Sequence, residues 1–369
     1  MTGDLIYVAV IGAGGVGSHS LNQLNLLSKS YPNIILVLIS RATKSLRALD
    51  PQKGLSLESW EKDLDASTSP ALSIEQTIQI LTLLPGSCVL VDNTSNQDVA
   101  NAYPECLRRG ISVVTPNKKA FSGHISLWKQ IQEAAYKAQP GHDTKGLVYH
   151  ESSVGAGLPI ISTLKDLVDT GDKVLKIEGV FSGTMSFLFN NFAPVDGEGG
   201  KWSAEVKKAK EAGFTEPDPR DDLNGVDVAR KLVILARICG LDIESTDSFP
   251  VQSLIPTELE RVKSGEEFME KLPQFDSSME ELRNEAVKEG KVVRFVGSID
   301  VGKKALKVGL EKFGRSHPIA GLKGSDNIVS FYTERYGSNP LVVQGAGAGG
   351  AVTAMGVTAD LIKVIQRLS

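Results

Sequence analysis

Only three cysteines, Cys88, Cys106 and Cys239, occur in 369 residues. They are widely spaced and form no metal-ligand pattern. So sparse a set points away from a disulfide framework and towards a reduced, cytoplasmic setting. No apolar run approaches membrane-spanning length, and no basic stretch followed by an apolar one opens the chain, so neither a spanning helix nor a secretory leader is expected. Positive charge is not in excess: 40 Lys and Arg against 44 Asp and Glu leave a formal charge of −4, which argues against nucleic acid as a partner. Long low-complexity tracts and repeats of solenoid period are also missing. What remains is 41% apolar and 23% charged, ordinary for a soluble globular protein, in a chain long enough for two domains.

What is present begins with residues 5–11, a strand-like run that ends in Gly12-Ala13-Gly14-Gly15-Val16-Gly17 and leads into a helical pattern reaching about Ser28. A G-x-G-x-x-G pattern is weak alone. Between a strand and a helix it reads as a dinucleotide-binding turn. Glycines at 12, 14 and 17 allow the tight turn, the approach of a pyrophosphate and close helix packing, and the phosphates would rest on the helix N-terminus. A glycine turn without a ligand is the plainer alternative. Residues 34–39 form a second strand. Where an NAD-specific site usually carries Asp or Glu, this one ends in Ser40-Arg41, with Lys44 nearby. A hydroxyl and a guanidinium suit a 2′-phosphate, which favours NADP and leaves use of NAD as well open. A solvated basic loop is the other reading.

Two further apolar strands, residues 88–92 and 111–115, end in Asp92-Asn93-Thr94-Ser95 and Pro116-Asn117-Lys118-Lys119. Loops at the carboxyl ends of a doubly wound sheet meet ligands. Thr94 is therefore a candidate cofactor contact and Lys118 a candidate contact to cofactor or substrate, although lysine pairs in loops are commonly just solvated. A polar connection is expected at 137–146. Residues 147–151 then lead into Ser152-Ser153-Val154-Gly155-Ala156-Gly157-Leu158-Pro159, an irregular turn whose carbonyls need partners. A helix from about Ile160 or a bound cation could engage this turn. Residues 176–181 read as a strand closed by Ser182-Gly183-Thr184, and 196–200 as a flexible polar insertion.

The densest chemistry lies at Glu216-Pro217-Asp218-Pro219-Arg220-Asp221-Asp222-Leu223-Asn224-Gly225, ahead of a helix from Val226 to about Ile238. The prolines fix φ and hold the residues before them extended, so four carboxylates sit on a stiff turn. Asn224-Gly225 signals a turn. Asp227 and Lys231 are four apart, roughly 40° around a helix, and share a face. Ile234 and Leu235 follow on it, so Lys231 projects from an otherwise apolar stripe. One reading is an exposed Asp–Lys pair of small energetic worth. The other is a half-buried ammonium beside a cluster of acids, suited to a zwitterionic substrate and to proton delivery, with a lowered pKa.

Residues 292–308, 327–332 and 341–344 alternate as strands. The last precedes Gly345-Ala346-Gly347-Ala348-Gly349-Gly350 and a helix to Arg367, which repeats the earlier fingerprint. Only about 25 residues remain there, fewer than the about 30 of a βαβ unit. The final helix is therefore expected to return to the first domain, with its glycines near the bound cofactor. His317, in a Ser316-His317-Pro318 turn, is either a pH-sensitive gate or an ordinary surface histidine. The expected fold class is α/β: a Rossmann-like doubly wound sheet over residues 1–150 plus 341–369, and a second α+β domain for substrate binding and catalysis over 151–340.

Residues 216–231, 150–159, 115–121 and 181–184, with Asp92-Asn93-Thr94-Ser95 and the terminal glycines, resemble a homoserine dehydrogenase, and the short fungal form most closely, over essentially the whole chain. The C-terminal regulatory domain of many longer bacterial relatives has no room here. The resemblance implies reversible NAD(P)H-dependent reduction of L-aspartate 4-semialdehyde to L-homoserine, on the route to threonine and methionine. It implies Lys231 as proton donor with Asp227 as its close partner, Glu216 as a substrate ligand with Asp222 in the same pocket, and Gly183 and Thr184 as a substrate-facing loop. Thr94, Lys118, Gly213 and Gly349 match cofactor contacts. Glu151, Val154, Ala156 and Leu158 match a sodium site made largely of carbonyl oxygens. A homodimer is implied, with residues 160–190 and 290–335 building a shared sheet. Phe214 departs from the family, which often carries Tyr there, and the stretch 196–200 is longer than usual.

Two rivals remain at this level. Aspartate semialdehyde dehydrogenase chemistry needs a cysteine nucleophile, and none of the three cysteines lies beside a glycine-rich helix start or a histidine. A dinucleotide-sensing protein without turnover would explain the glycine turn but not the acid-and-lysine helix.

Overall fold

Residues 6–11 read Ile-Tyr-Val-Ala-Val-Ile, and all six are buried. A continuous apolar run of this kind belongs to a strand covered on both faces, and it forms β1 (Ile6–Ile11) at the middle of a six-stranded sheet. The structure, a computed structural model, describes residues 5–136 and 146–368. The connection expected at 137–146 lies, except for Gly146, outside the described residues. The chain divides into two compact units, Met1–Pro159 with Ala348–Ser369, and Ile160–Gly347.

In the first unit, β2 (Ile34–Ser40), β3 (Ser45–Arg47), β4 (Ser87–Asp92), β5 (Ile111–Val114) and β6 (Val148–Tyr149) join β1 in the order β3-β2-β1-β4-β5-β6. All pairings are parallel except that of β3 with β2. The chain reverses its direction of growth between β1 and β4, so the carboxyl ends of these strands form the crevice where ligands bind in this class of sheet. Helix Gly15–Leu27 follows β1, and the final helix, Gly350–Leu368, packs against it. Val357, Leu361, Val364 and Ile365 of that last helix enter the same core as Ile6, Val8 and Val10. The return of the C-terminus to the first unit is thus apolar burial, each such side chain contributing about 1.5–3 kcal/mol.

The second unit carries β7 (Val174–Val180), β8 (Lys291–Asp300), β9 (Ala305–Gly314), β10 (Asp326–Thr333) and β11 (Leu341–Ala346) in an antiparallel sheet of order β11-β10-β7-β8-β9. Helices Gly183–Phe192 and Val226–Ile238 pack on β8. The boundaries fall later than expected at both junctions, for separate reasons. Residues 151–159 stay with the first unit because the Glu151 N–H donates to Asp360 and the Ser152 hydroxyl to the Thr353 carbonyl, both on the final helix. Residues 341–347 stay with the second because β11 completes its ladder with β10. The insertion at 196–200 is tied down: Arg283 donates to the carbonyls of Phe192 and Gly200 at 3.1 and 2.7 Å. Among the described residues, no helix is long and apolar enough to cross a membrane.

Candidate active-site residues

The glycine turn has the form the sequence predicts. Gly12 adopts φ +81°, open to glycine without strain. A Cβ at Gly17 would lie 2.3 Å from the Gly12 carbonyl oxygen, so only glycine lets the helix start this close to the strand end. A Cβ at Gly14 or Gly15 would meet nothing within 4 Å, so the approach to the helix N-terminus is open. The N–H groups of Gly12 and Ala13 donate to the Ser40 carbonyl at 3.0 and 2.9 Å. Ser40 is buried and holds the turn through its backbone. Arg41 reaches back over it, its Nε donating to the Ala13 carbonyl at 3.0 Å.

A buried network joins the next two strand ends. Asp92, at the end of β4, accepts from the Tyr103 hydroxyl at 2.5 Å, from Asn117 Nδ2 at 3.1 Å and from the Thr94 N–H at 2.8 Å. Thr115 Oγ1 donates to the Asp92 carbonyl and accepts from the Asn117 N–H. Burial pushes the Asp92 carboxyl up, and its hydrogen bonds act against that rise. Thr94 and Asn117 are thereby held to one carboxylate, with Lys118 next in chain at the start of helix Lys119–Ser122. Sequence reading singled out Thr94 and Lys118 and missed Tyr103, whose spacing from Asp92 carries no motif. The Asn93 amide is buried, and neither its nitrogen nor its oxygen has a hydrogen-bond partner among the described residues. Its backbone lies against Gly12. An open glycine turn with an unsatisfied amide beside it is the donor and acceptor set a dinucleotide would complete.

The turn at 151–158 begins as a short 3-10 segment, Glu151–Ser153. Gly155 and Ala156 both take positive φ, +78° and +56°. For alanine the left-handed region costs about 1–2 kcal/mol, and such strain collects at ligand clamps. The Glu151 carboxylate lies 3.8 Å from Lys363 Nζ, a loose pair. Among the described residues, no group of three or more His, Cys, Asp or Glu side chains is placed to hold a metal ion.

In the second unit, Lys231 lies where its helical spacing put it. Gly225 at φ +73° turns the chain, Asn224 Oδ1 accepts the Val226 N–H at 2.8 Å, and helix Val226–Ile238 starts there. Leu232, Val233, Ile234 and Leu235 are fully buried. Lys231 is only 7% exposed. Its ammonium donates to the Phe181 carbonyl at 2.6 Å and pairs with Asp227 Oδ2 at 2.7 Å. The lysine end of the pair is buried, against the exposed-pair reading, while the Asp227 side chain keeps 43% of its surface exposed. The setting of the ammonium itself is not purely apolar, since a carbonyl and a carboxylate meet it.

The strand end that supplies the Phe181 carbonyl also starts helix Gly183–Phe192, capped by the Ser182 hydroxyl accepting from the Met185 N–H at 3.2 Å. Thr184 Oγ1 lies 2.9 Å from Asp222 Oδ1 and 2.6 Å from the Phe214 carbonyl. Asp222 Oδ2 accepts the Glu216 N–H at 2.8 Å. Burial pushes the Asp222 carboxyl up, and the nearby charges of Glu216 and Asp227 add to the rise. The far end of helix Gly183–Phe192 is clamped by buried Arg294, which donates to the Phe189 and Ala193 carbonyls. Burial pushes the Arg294 guanidinium down to about 10.

The four acids of the proline turn separate in the structure. Asp218 is taken by Arg220 in a pair with contacts of 2.6–3.1 Å, which holds its carboxyl below the usual range. Asp221 and Glu216 are exposed, and only Asp222 turns inward. Gly213 takes φ +73° and Gly349 φ +116°, both exposed. Phe214 is 39% exposed and stacks on Phe187 with ring centroids 4.6 Å apart. His317 Nδ1 accepts the Ile319 N–H at 3.2 Å within its turn. Burial pushes the thiols of Cys88, Cys106 and Cys239 up to about 12, which leaves no activated cysteine among them.

A family model described as "Homoserine dehydrogenase, NAD binding domain" matches residues 12–141, and one described as "Homoserine dehydrogenase" matches 159–362. A homoserine dehydrogenase of Paracoccidioides brasiliensis is 55% identical over 378 residues, covering 100% of each chain. The crystal structure of a Candida auris protein of unknown function matches with TM-score 0.91 at 44% identity, over 99% of both chains. A hyperthermophilic archaeal homoserine dehydrogenase in complex with NADPH matches with TM-score 0.68 at 20% identity over 98% of both chains, a likeness of fold.

Proposed function

The chain belongs to the homoserine dehydrogenase family, whose members are NAD(P)-dependent oxidoreductases that interconvert L-aspartate 4-semialdehyde and L-homoserine in threonine and methionine biosynthesis, and on that premise we propose that Lys231 is the proton donor and Asp227 its partner. The observation that carries this reading is the buried Lys231 ammonium, fixed between the Phe181 carbonyl at 2.6 Å and Asp227 at 2.7 Å. Bound NAD(P)H supplies the hydride. As negative charge develops on the aldehyde oxygen, a positioned ammonium stabilises it and gives up a proton, and in the reverse direction takes it back. Glu216 and Asp227 attract the α-ammonium of the substrate. Asp222, already bonded to Thr184 and to the Glu216 N–H, shapes the loop that Gly183 and Thr184 present. Turnover with aspartate semialdehyde, compared with a panel of other aldehydes, tests the substrate assignment.

For the cofactor, residues 12–17 cradle the pyrophosphate, and Thr94, Lys118, Gly213 and Gly349 are further contacts. Arg41 recognises the 2′-phosphate of NADP, with NAD also accepted. The archaeal relative in complex with NADPH supports this choice. Sodium is assigned to Glu151 and the carbonyls of Val154, Ala156 and Leu158. The hard oxygen donors of this set suit such an ion, and the strained Ala156 backbone supports it. A high-resolution map showing a water with ordinary hydrogen-bond distances there would reject it. The enzyme acts as a cytoplasmic homodimer in which residues 160–190 and 290–335 build a shared sheet, and light scattering on the purified protein checks its mass.

A further inference from the structure

Arg41 is already occupied by carboxylates. Its Nη1 meets Asp65 Oδ1 at 2.5 Å and its Nη2 meets Glu61 Oε1 at 3.2 Å, while Nε donates to the Ala13 carbonyl. Each of the three guanidinium nitrogens therefore has an oxygen partner. Glu61 and Asp65 are four apart on helix Trp60–Ala66, so they share a face. That helix is anchored at both ends: buried Trp60 donates its indole N–H to Asn22 Oδ1 at 3.1 Å, and Lys44 Nζ donates to the Asp65 carbonyl at 2.8 Å. The guanidinium also lies over the Trp60 ring, 5.9 Å from its centroid. The acids are half in solvent, with side chains 61% and 57% exposed against 31% for Arg41.

We propose that Glu61 and Asp65 are specificity-determining residues that compete with the cofactor's 2′-phosphate for Arg41, and so hold the enzyme close to dual use of NADPH and NADH. This rests on the reading of Arg41 as the 2′-phosphate contact. Three of the five guanidinium N–H groups are taken, so a phosphate at the fork either displaces a carboxylate or uses the two that remain, in both cases beside two like charges. NADH carries no such group and meets no such competition. Removing the acids frees the fork without moving it, because the Ala13 carbonyl and the Trp60 ring still hold the guanidinium. An exposed ion pair is worth at most about five-fold in an equilibrium constant, so two pairs together shift NADPH affinity by about three- to ten-fold.

The test is the Kd of NADPH and of NADH, by fluorescence titration and calorimetry, for the wild type, Asp65→Asn, Glu61→Gln, the double variant and Arg41→Ala. Adenosine 2′,5′-bisphosphate against AMP repeats the comparison on the adenosine end alone. The expected result is tighter binding of NADPH and of the bisphosphate in the double variant, by about three- to ten-fold, with NADH and AMP unchanged within about two-fold. Equal shifts for both cofactors, or no shift, overturn the proposal. Weaker NADPH binding overturns it too, because the acids would then be positioning Arg41. If Arg41→Ala leaves the NADPH to NADH ratio unchanged, the reading of Arg41 itself fails. If NADPH loses affinity relative to NADH in Arg41→Ala while the acid variants do nothing, only the competition fails.

Discussion

Thr184 and Asp222, 38 residues apart, meet at 2.9 Å and tie the first turn of helix Gly183–Phe192 to the acidic segment before helix Val226–Ile238. The carboxylate in this pair is held above its ordinary range, chiefly by burial. A carboxyl whose folded pKa is raised binds its proton more tightly folded than unfolded. Stability then falls as pH rises from the unfolded value near about 4 through the folded value. In Asp222→Asn that loss is absent, so the melting temperature of the variant, relative to wild type, should climb across this window and then level off. A difference that stays flat with pH contradicts the assignment.

The same substitution should weaken substrate capture. Asp222 Oδ2 accepts the Glu216 N–H, so an amide there disturbs the loop that presents Glu216. We expect the KM for aspartate semialdehyde to rise by about ten-fold, the scale of one lost hydrogen bond to a charged group. Steady-state kinetics check this. A fall in kcat with KM unchanged would instead place Asp222 in the chemical step.

Gly14 and Gly17 separate ligand binding from folding. Gly17→Ala drives a methyl to 2.3 Å from the Gly12 carbonyl oxygen and should lower the melting temperature as well as abolish dinucleotide binding. At Gly14 the same methyl meets open space, so Gly14→Ala should melt like the wild type and still bind NADPH at least about ten-fold more weakly, because the backbone can no longer approach the pyrophosphate. Normal NADPH affinity in Gly14→Ala would remove this turn from the cofactor site.

Tyr103→Phe deletes a donor from buried Asp92 while keeping the ring. Leaving a buried carboxylate short of a partner costs about 1–3 kcal/mol, measurable by thermal or denaturant unfolding. Because Thr94 and Asn117 bond the same carboxylate, NADPH binding should weaken as well. An unchanged melting temperature would mean that a water replaces the hydroxyl.

How much of this was legible in the chain depends on whether a feature is local. The glycine turn, the Asp227–Lys231 pair and the Asn224-Gly225 turn are set by spacings of a few residues, and each appears where periodicity and turn chemistry put it. The partners that complete them come from far along the chain. Phe181 lies 50 residues from Lys231, and Glu61 and Asp65 lie 20 and 24 residues from Arg41. No periodic pattern encodes such meetings. Composition misled at the proline turn, where four acids looked alike and Arg220 takes Asp218 out of play. The boundaries near 150 and 341 depend on which ladder and which helix a segment joins, again a long-range outcome.

Lys231→Ala tests the central claim most directly, with kcat and the NADPH Kd measured on the same preparation. The ammonium is the buried group that the Phe181 carbonyl and Asp227 position. Its removal should cut kcat by about two orders of magnitude or more, the scale of a general acid. The NADPH Kd should stay within about two-fold, since Lys231 is not among the cofactor contacts of this account, and Lys231→Arg should not restore turnover because a guanidinium is too weak an acid. A Lys231→Ala enzyme that keeps near-normal kcat would contradict the account and move proton delivery to Lys118 or to water.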